Sequence, residues 1–217
     1  MTERGLLIAA LAVVGGAVVA ELSRQRISSP EIHWAPFEPD QTTNIFEDVI
    51  VSLTPSTYTP ANVPQDMAAT NARAFLDMIA FAEGTAGRGD NGYNILFGYG
   101  TFDSYADHPR QFIPYGATTT SAAGRYQFLA RTWDGLVRKL GLTDFGPANQ
   151  DAGALELIRE RGALNDVYAG RVADAINKVR KVWASLPGAG YGQPERRLAA
   201  LLDAYAQAGG QNQGTMA

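Results

Sequence analysis

The chain has 217 residues, 46% hydrophobic and 18% charged, with a net charge of −4 and no cysteine. At ~150 residues per domain this is one cored domain plus an extension. The composition excludes global disorder, a coiled coil, a disulfide framework, a thiolate nucleophile and any Cys-based zinc site. Only two histidines, His33 and His108, are present, which leaves little for a multi-histidine metal centre, and no cofactor is expected.

Charge is unevenly placed. Residues 1–66 carry three Lys/Arg against eight Asp/Glu, whereas residues 67–217 carry 15 against 14. A near-neutral C-terminal part without a basic run argues against nucleic acid and leaves an uncharged polymer, such as a glycan, as a ligand.

Residues 5–20 (GLLIAALAVVGGAVVA) lack charge and are bracketed by Arg4 and Glu21. As a helix they span roughly 24 Å at ~1.5 Å per residue, a little short of a ~30 Å hydrocarbon core. The reading adopted is a membrane anchor within residues 1–22. A signal peptide cleaved after Val18-Val19-Ala20 and a buried core helix are the alternatives. Residues 23–66 hold six of the eleven prolines, so long helices are disfavoured and the segment reads as an extended linker. One short apolar stretch, 45–53 (IFEDVIVSL), interrupts it as a strand or docking turn.

From Met67 the periodicity is helical. Ala74, Phe75, Met78, Ile79 and Ala82 form an amphipathic stripe, capped at Thr70 or Asn71 and ending at Glu83-Gly84. Glycines from Gly87 to Gly100 around Tyr93 and Phe97 predict a small hairpin or lobe. A second helix is expected from Ser121 through Tyr126, Leu129, Trp133, Val137 and Leu140, closed by Gly141. A third starts at Pro147, which suits a first helical turn. A fourth carries Val172, Ile176, Val179 and Trp183, and a last one opens at Pro194. The fold class is α+β: helices around one core with a small β lobe, a domain over 67–209 and a flexible tail over 210–217.

Glu83 is the sharpest candidate for chemistry. At a helix C-terminus, beside Phe81, both the macrodipole and desolvation disfavour its ionised form. A carboxylic acid kept protonated near neutral pH is what protonation of a glycosidic oxygen needs. Tyr126 and Gln127, in SAAGRYQ at the expected helix start, could stack on or hydrogen-bond a sugar. The loop LPGAGYGQ adds Tyr191 and Gln193. His108 reads as a loop hydrogen-bonder, Trp133 and Trp183 as core. Arg125 is either a salt-bridge partner or a contact to a peptide carboxylate.

Taken in order, FLDMIAFAEGT, GYNILFGYGTFDSYADHPR, SAAGRYQFLARTWD, LGLTDFGPANQDAGALELIRERGAL and VWASLPGAGYGQ resemble the phage lambda lysozyme family of peptidoglycan lytic transglycosylases over residues 74–210. The resemblance implies a lysozyme-like fold, Glu83 as the single catalytic acid, Tyr126 and Gln127 lining the cleft, and Tyr105, Tyr191 and Gln193 on its two lips. The partner it implies is a peptidoglycan glycan strand. Hydrolases of the phage T4 type place an Asp eight residues and a Thr fourteen residues after the acid; here those positions are Asn91 and Phe97, and Asp90 reads as a turn residue. One carboxyl group therefore points to transglycosylation. A hydrolytic muramidase on the same fold, and a non-cleaving wall-binding or virion structural protein, are the alternatives. With the anchor, the catalytic domain is expected to face the periplasm and its peptidoglycan.

Overall fold

The computed structural model describes residues 63–192 and 194–214. The apolar run 5–20, the proline-rich segment as far as residue 62 and Gln193 lie outside the described residues. Among the described residues, no helix is long and apolar enough to cross a membrane. Six α-helices are present there: α1 Gln65–Glu83, α2 Ala130–Leu140, α3 Pro147–Glu160, α4 Leu164–Tyr168, α5 Val172–Val179 and α6 Leu198–Gln207. Two strands, β1 Ile113–Tyr115 and β2 Thr118–Thr120, pair antiparallel between α1 and α2.

α1 is the axis of the molecule. Phe75, Leu76, Met78, Ile79 and five of its alanines are buried, so it is apolar on nearly every side, as a helix inside a core must be. It packs against α4 and α6. The helix begins at Gln65 rather than at the expected Thr70–Asn71 cap, with Pro64 turning the chain in at its start. Asn71 is therefore a mid-helix residue, fully buried, with another task. Its Nδ2 donates to the Tyr168 carbonyl at 3.0 Å and its Oδ1 accepts the Gln211 N–H at 2.8 Å. The Gln213 N–H donates to the Gly170 carbonyl at 3.0 Å, so the tail expected to be flexible from residue 210 is docked where it leaves α6.

The β lobe lies further along than the glycine pattern suggested. Residues 87–100 form turns, one short 3-10 turn, Phe97–Tyr99, and two isolated antiparallel bridges, Ile95 to Thr101 and Leu96 to Ala123. Gly87, Gly89, Gly92 and Gly98 all take positive φ and keep these bridges from extending into a ladder. The hairpin is 113–120 instead, with Tyr115 opposite Thr118 across the two-residue loop Gly116-Ala117. Gly116, at φ +56, holds the first loop position, where such tight hairpins need positive φ.

The helix expected from Ser121 starts only at Ala130. The intervening chain is a tight turn in which Ala123 and Phe128 exchange backbone hydrogen bonds, with Gly124 at φ +77 and Gln127 at φ +49. A side chain at Gly124 would place its Cβ 2.3 Å from Gln150 Oε1 and 2.9 Å from Phe145 Cζ. Gly124→Ala combines this overlap with a strained φ, so a loss of about 2–4 kcal/mol is expected. In thermal unfolding this reads as a Tm lowered by roughly 5–12 °C.

The remaining helices close the core. Pro147 opens α3 as expected, whereas α5 stops at Val179 and α6 begins at Leu198, past the expected Pro194. The short α4 had no sequence signal. Trp133 and Trp183 are fully buried, and His108 accepts the Arg110 N–H of its own loop through Nδ1 at 3.0 Å while Nε2 reaches the Phe128 carbonyl in the turn before α2 at 2.8 Å.

Candidate active site

Glu83 is the last residue of α1, and Gly84 leaves the helix at φ 73. The side chain is 1% exposed. Ser185, from the turns that follow α5, donates its hydroxyl to Glu83 Oε1 at 2.6 Å. Oε2 has no hydrogen-bond partner. Burial pushes the Glu83 pKa from 4.5 up to about 8, against smaller downward pulls from the Ser185 hydroxyl and the Arg196 guanidinium. Protonated at neutral pH, the carboxyl group has one oxygen held by Ser185 and the other buried without a partner. It can donate a proton.

Behind this acid lies a buried polar network. Arg125, 2% exposed, donates from Nη2 to Asp77 Oδ1 at 2.5 Å and from Nη1 to the Asn91 carbonyl, and sits 5.2 Å from the Tyr93 ring centre. Thr85 Oγ1 donates to the Arg125 carbonyl at 2.5 Å, which ties this turn to the chain just after the acid. Asp151, inside α3, accepts the Tyr126 hydroxyl at 2.6 Å and the Tyr93 hydroxyl at 2.9 Å. Burial raises Asp151 to about 6, with Tyr126 and Arg125 pulling the other way. Of the two roles open to Arg125 in sequence, the structure assigns the salt bridge.

The other expected site residues separate into two groups. Tyr126 is 1% exposed, its ring packed edge-on against Phe128 and Tyr93. Stacking on a sugar is closed to that ring, and its position follows from the turn at Gly124 that replaces the expected helix start. Gln127 is also buried; Nε2 donates to the Ile95 and Gly124 carbonyls at 3.2 and 3.0 Å, and Oε1 is unpartnered. Tyr105 and Tyr191 are partly exposed. The Tyr105 hydroxyl donates to Asp90 Oδ2 at 2.7 Å, and the Tyr191 hydroxyl donates to the Lys181 carbonyl at 3.1 Å. Gln193 is outside the described residues. Sequence reasoning missed Ser185, Arg196 and Asp151. Ser185 had a usable signal in its position two residues before Pro187, at the edge of the glycine-rich loop; Asp151 had none beyond being an acid within an apolar helical pattern.

A mainly helical domain with a two-stranded lobe and one buried acid at a helix end is lysozyme-like architecture. Bacteriophage lambda lysozyme complexed with a chitohexasaccharide superposes at TM-score 0.65 and 42% identity, covering 66% of this chain and 97% of that one. A second structure, lysozyme from bacteriophage lambda, gives 0.62 at 41% identity, with the same coverage of 66% and 97%. The endolysin of Escherichia phage lambda is 46% identical over 143 residues, covering 64% of this chain and 90% of that protein. That of Escherichia phage P2 is 44% identical over 155 residues, covering 64% and 93%. The endolysin family model matches residues 73–212, and the chain belongs to that family.

Proposed function

We propose that this endolysin cleaves the β-1,4 bond between N-acetylmuramic acid and N-acetylglucosamine in peptidoglycan by lytic transglycosylation. The observation that carries the reading is the Glu83 carboxyl group, fully buried, with its pKa pushed up to about 8 by burial. Its Oε2 alone, among the buried carboxylate oxygens of the described residues, has no partner. The charged side chain acting on it is a cation, Arg196, and among the described residues no carboxylate raises its pKa. A retaining hydrolase would set a second carboxylate about 5–5.5 Å away. The nearby Asp90 is exposed and engaged by the Tyr105 hydroxyl. Asn91 accepts the Gly87 N–H through its side chain, and Phe97 is buried; neither can activate water as a base.

In the reaction, Glu83 Oε2 gives its proton to the glycosidic oxygen and the C1–O bond of the muramic acid breaks. The sugar's own N-acetyl oxygen supports the cationic C1. The C6 hydroxyl then attacks C1 and returns its proton to Glu83, closing a 1,6-anhydro ring. No water is consumed. The same domain with a water nucleophile would be a hydrolytic muramidase, and mass spectrometry of digested murein separates the two. Anhydro-muramic ends, 18 Da lighter than reducing ends by the loss of one water, are expected; reducing ends would sink the transglycosylase reading. The chitohexasaccharide bound by lambda lysozyme supports a glycan as substrate here.

Residues 5–20 would tether the enzyme to a membrane, with the expected linker 23–66 as spacer up to the start of α1 and the domain on the peptidoglycan side. N-terminal sequencing of the membrane-associated species tests this, since a chain starting at Glu21 would mean a cleaved signal peptide.

A further inference from the structure

We propose that Arg196 is a positioning residue for the catalytic acid: a cation clamped beside Glu83, supporting the carboxylate that forms when the proton is given up, yet restrained from pairing with it directly. The inference rests on the reading above, in which Glu83 acts as acid and then as base.

The clamp has three contacts. The Arg196 N–H donates to the carbonyl of Ser185, the residue whose hydroxyl holds Glu83 Oε1, at 2.7 Å. Its Nε donates to the carbonyl of Ala82 at 3.2 Å, and its guanidinium carbon lies 5.3 Å from the Phe81 ring centre. One residue thus grips both elements that hold the acid, the last turn of α1 and the turn carrying Ser185. The preceding residue fixes the chain from the loop side: Glu195 accepts the N–H groups of Gly188 and Gly190, each at 2.7 Å. No ion pair joins Arg196 to a carboxylate among the described residues.

The placement meets two opposed demands. A guanidinium at ion-pair distance would ionise the acid before substrate arrived. With no cation at all, the carboxylate left after proton transfer would be a bare charge in a dry site, which is costly. Arg196 stands between these limits, its outer face in water and its Nε committed to Ala82. Of the other charged groups around this region, Arg88 donates from Nε to the Gly84 carbonyl at 2.8 Å and lies over the Tyr99 ring, and the rest are engaged further away. Asp77 pairs with Arg125, Glu195 holds the loop amides, and Lys181 donates to the Ala189 carbonyl at 2.5 Å.

The test compares Arg196→Gln and Arg196→Lys in the full chain, with kcat and KM on murein measured from pH 5 to 10. For Arg196→Gln, kcat is expected to fall about tenfold with KM within about twofold, and the alkaline limb of kcat/KM to move upward by about half a pH unit or more. Arg196→Lys keeps the charge, and its limb is expected within about 0.3 units of wild type. A kcat loss with an unmoved limb would show a merely structural clamp, and a raised KM with full kcat would show a substrate contact; either overturns the proposal. Should Arg196→Gln not fold, Arg196→Met, equally uncharged, takes its place with the same expected upward limb, and an unmoved limb there overturns the proposal. Failure of the parent reading looks different: Glu83→Gln would then be as active as wild type, or the products would carry reducing ends, whatever Arg196 does.

Discussion

Glu83→Gln is expected to lower murein cleavage by at least ~10²–10⁴-fold, the usual cost of removing a positioned general acid, while making the fold more stable above neutral pH. The glutamine keeps the shape and still accepts the Ser185 hydroxyl through its amide oxygen. It has no acidic proton to give, and it cannot take one from a C6 hydroxyl. The stability gain follows from the raised pKa, 4.5 in water against about 8 in the protein. The folded state holds this proton more tightly than the unfolded state, so the contribution of Glu83 is complete below pH 4.5 and is lost as pH rises through about 8. At ~1.4 kcal/mol per pH unit the loss reaches a few kcal/mol at alkaline pH, and glutamine does not suffer it. Urea unfolding of both proteins at pH 5 and pH 9 checks this. The difference between them should favour the variant far more at pH 9, and Asp151, which also titrates above the usual carboxylate range, cancels because both proteins carry it. Equal midpoints at both pH values, or activity within tenfold of wild type, would remove Glu83 from the centre of the site.

Glu83 was legible because its setting is local. The α1 stripe and the glycine after it placed a carboxyl at a buried helix end, and Phe81 supplied an apolar flank. The partners of that carboxyl were not legible. Ser185 lies 102 residues along the chain, and Arg196 reaches the same helix end from beyond the glycine-rich loop. No periodicity connects such positions; only the packing of the turn carrying Ser185 and of Arg196 against the end of α1 brings them together. The turn at Gly124 shows the opposite failure, where a local signal misled. Its small and apolar residues satisfy helical spacing, but a left-handed glycine locked against Gln150 and Phe145 turns the chain back. Tyr126 consequently points inward to Asp151, where a helix start would have presented it to solvent. Asn71 was read as a cap from residue type alone, and the two backbone groups it actually satisfies come from α4 and from the segment after α6.

Arg125→Met is expected to be the most destabilising single change in the network behind the acid, at about 3 kcal/mol, the lower end of the cost of breaking a buried pair because Asp77 keeps a quarter of its side-chain surface in water. Methionine fills much of the volume but supplies no charge. Asp77 loses its hydrogen-bonded cation and keeps only the weaker pull of Arg73, the Asn91 carbonyl loses a donor, and Asp151 loses the cation that helps keep it ionised. Arg125 lowers the pKa of both acids, so its removal raises both, and each can escape its penalty by taking a proton. The destabilisation should therefore be larger at pH 7 than at pH 5. Adding Asp77→Leu to Arg125→Met removes the stranded carboxylate, and the double variant should recover more than 1 kcal/mol over the single one, a coupling between contacting residues that distant sites would not show. Denaturant midpoints for the single and double variants at the two pH values make the measurement. A loss below 1 kcal/mol at pH 7, or a double variant no better than the single, would mean that Arg125 is held by its packing against Tyr93 and not by its charge.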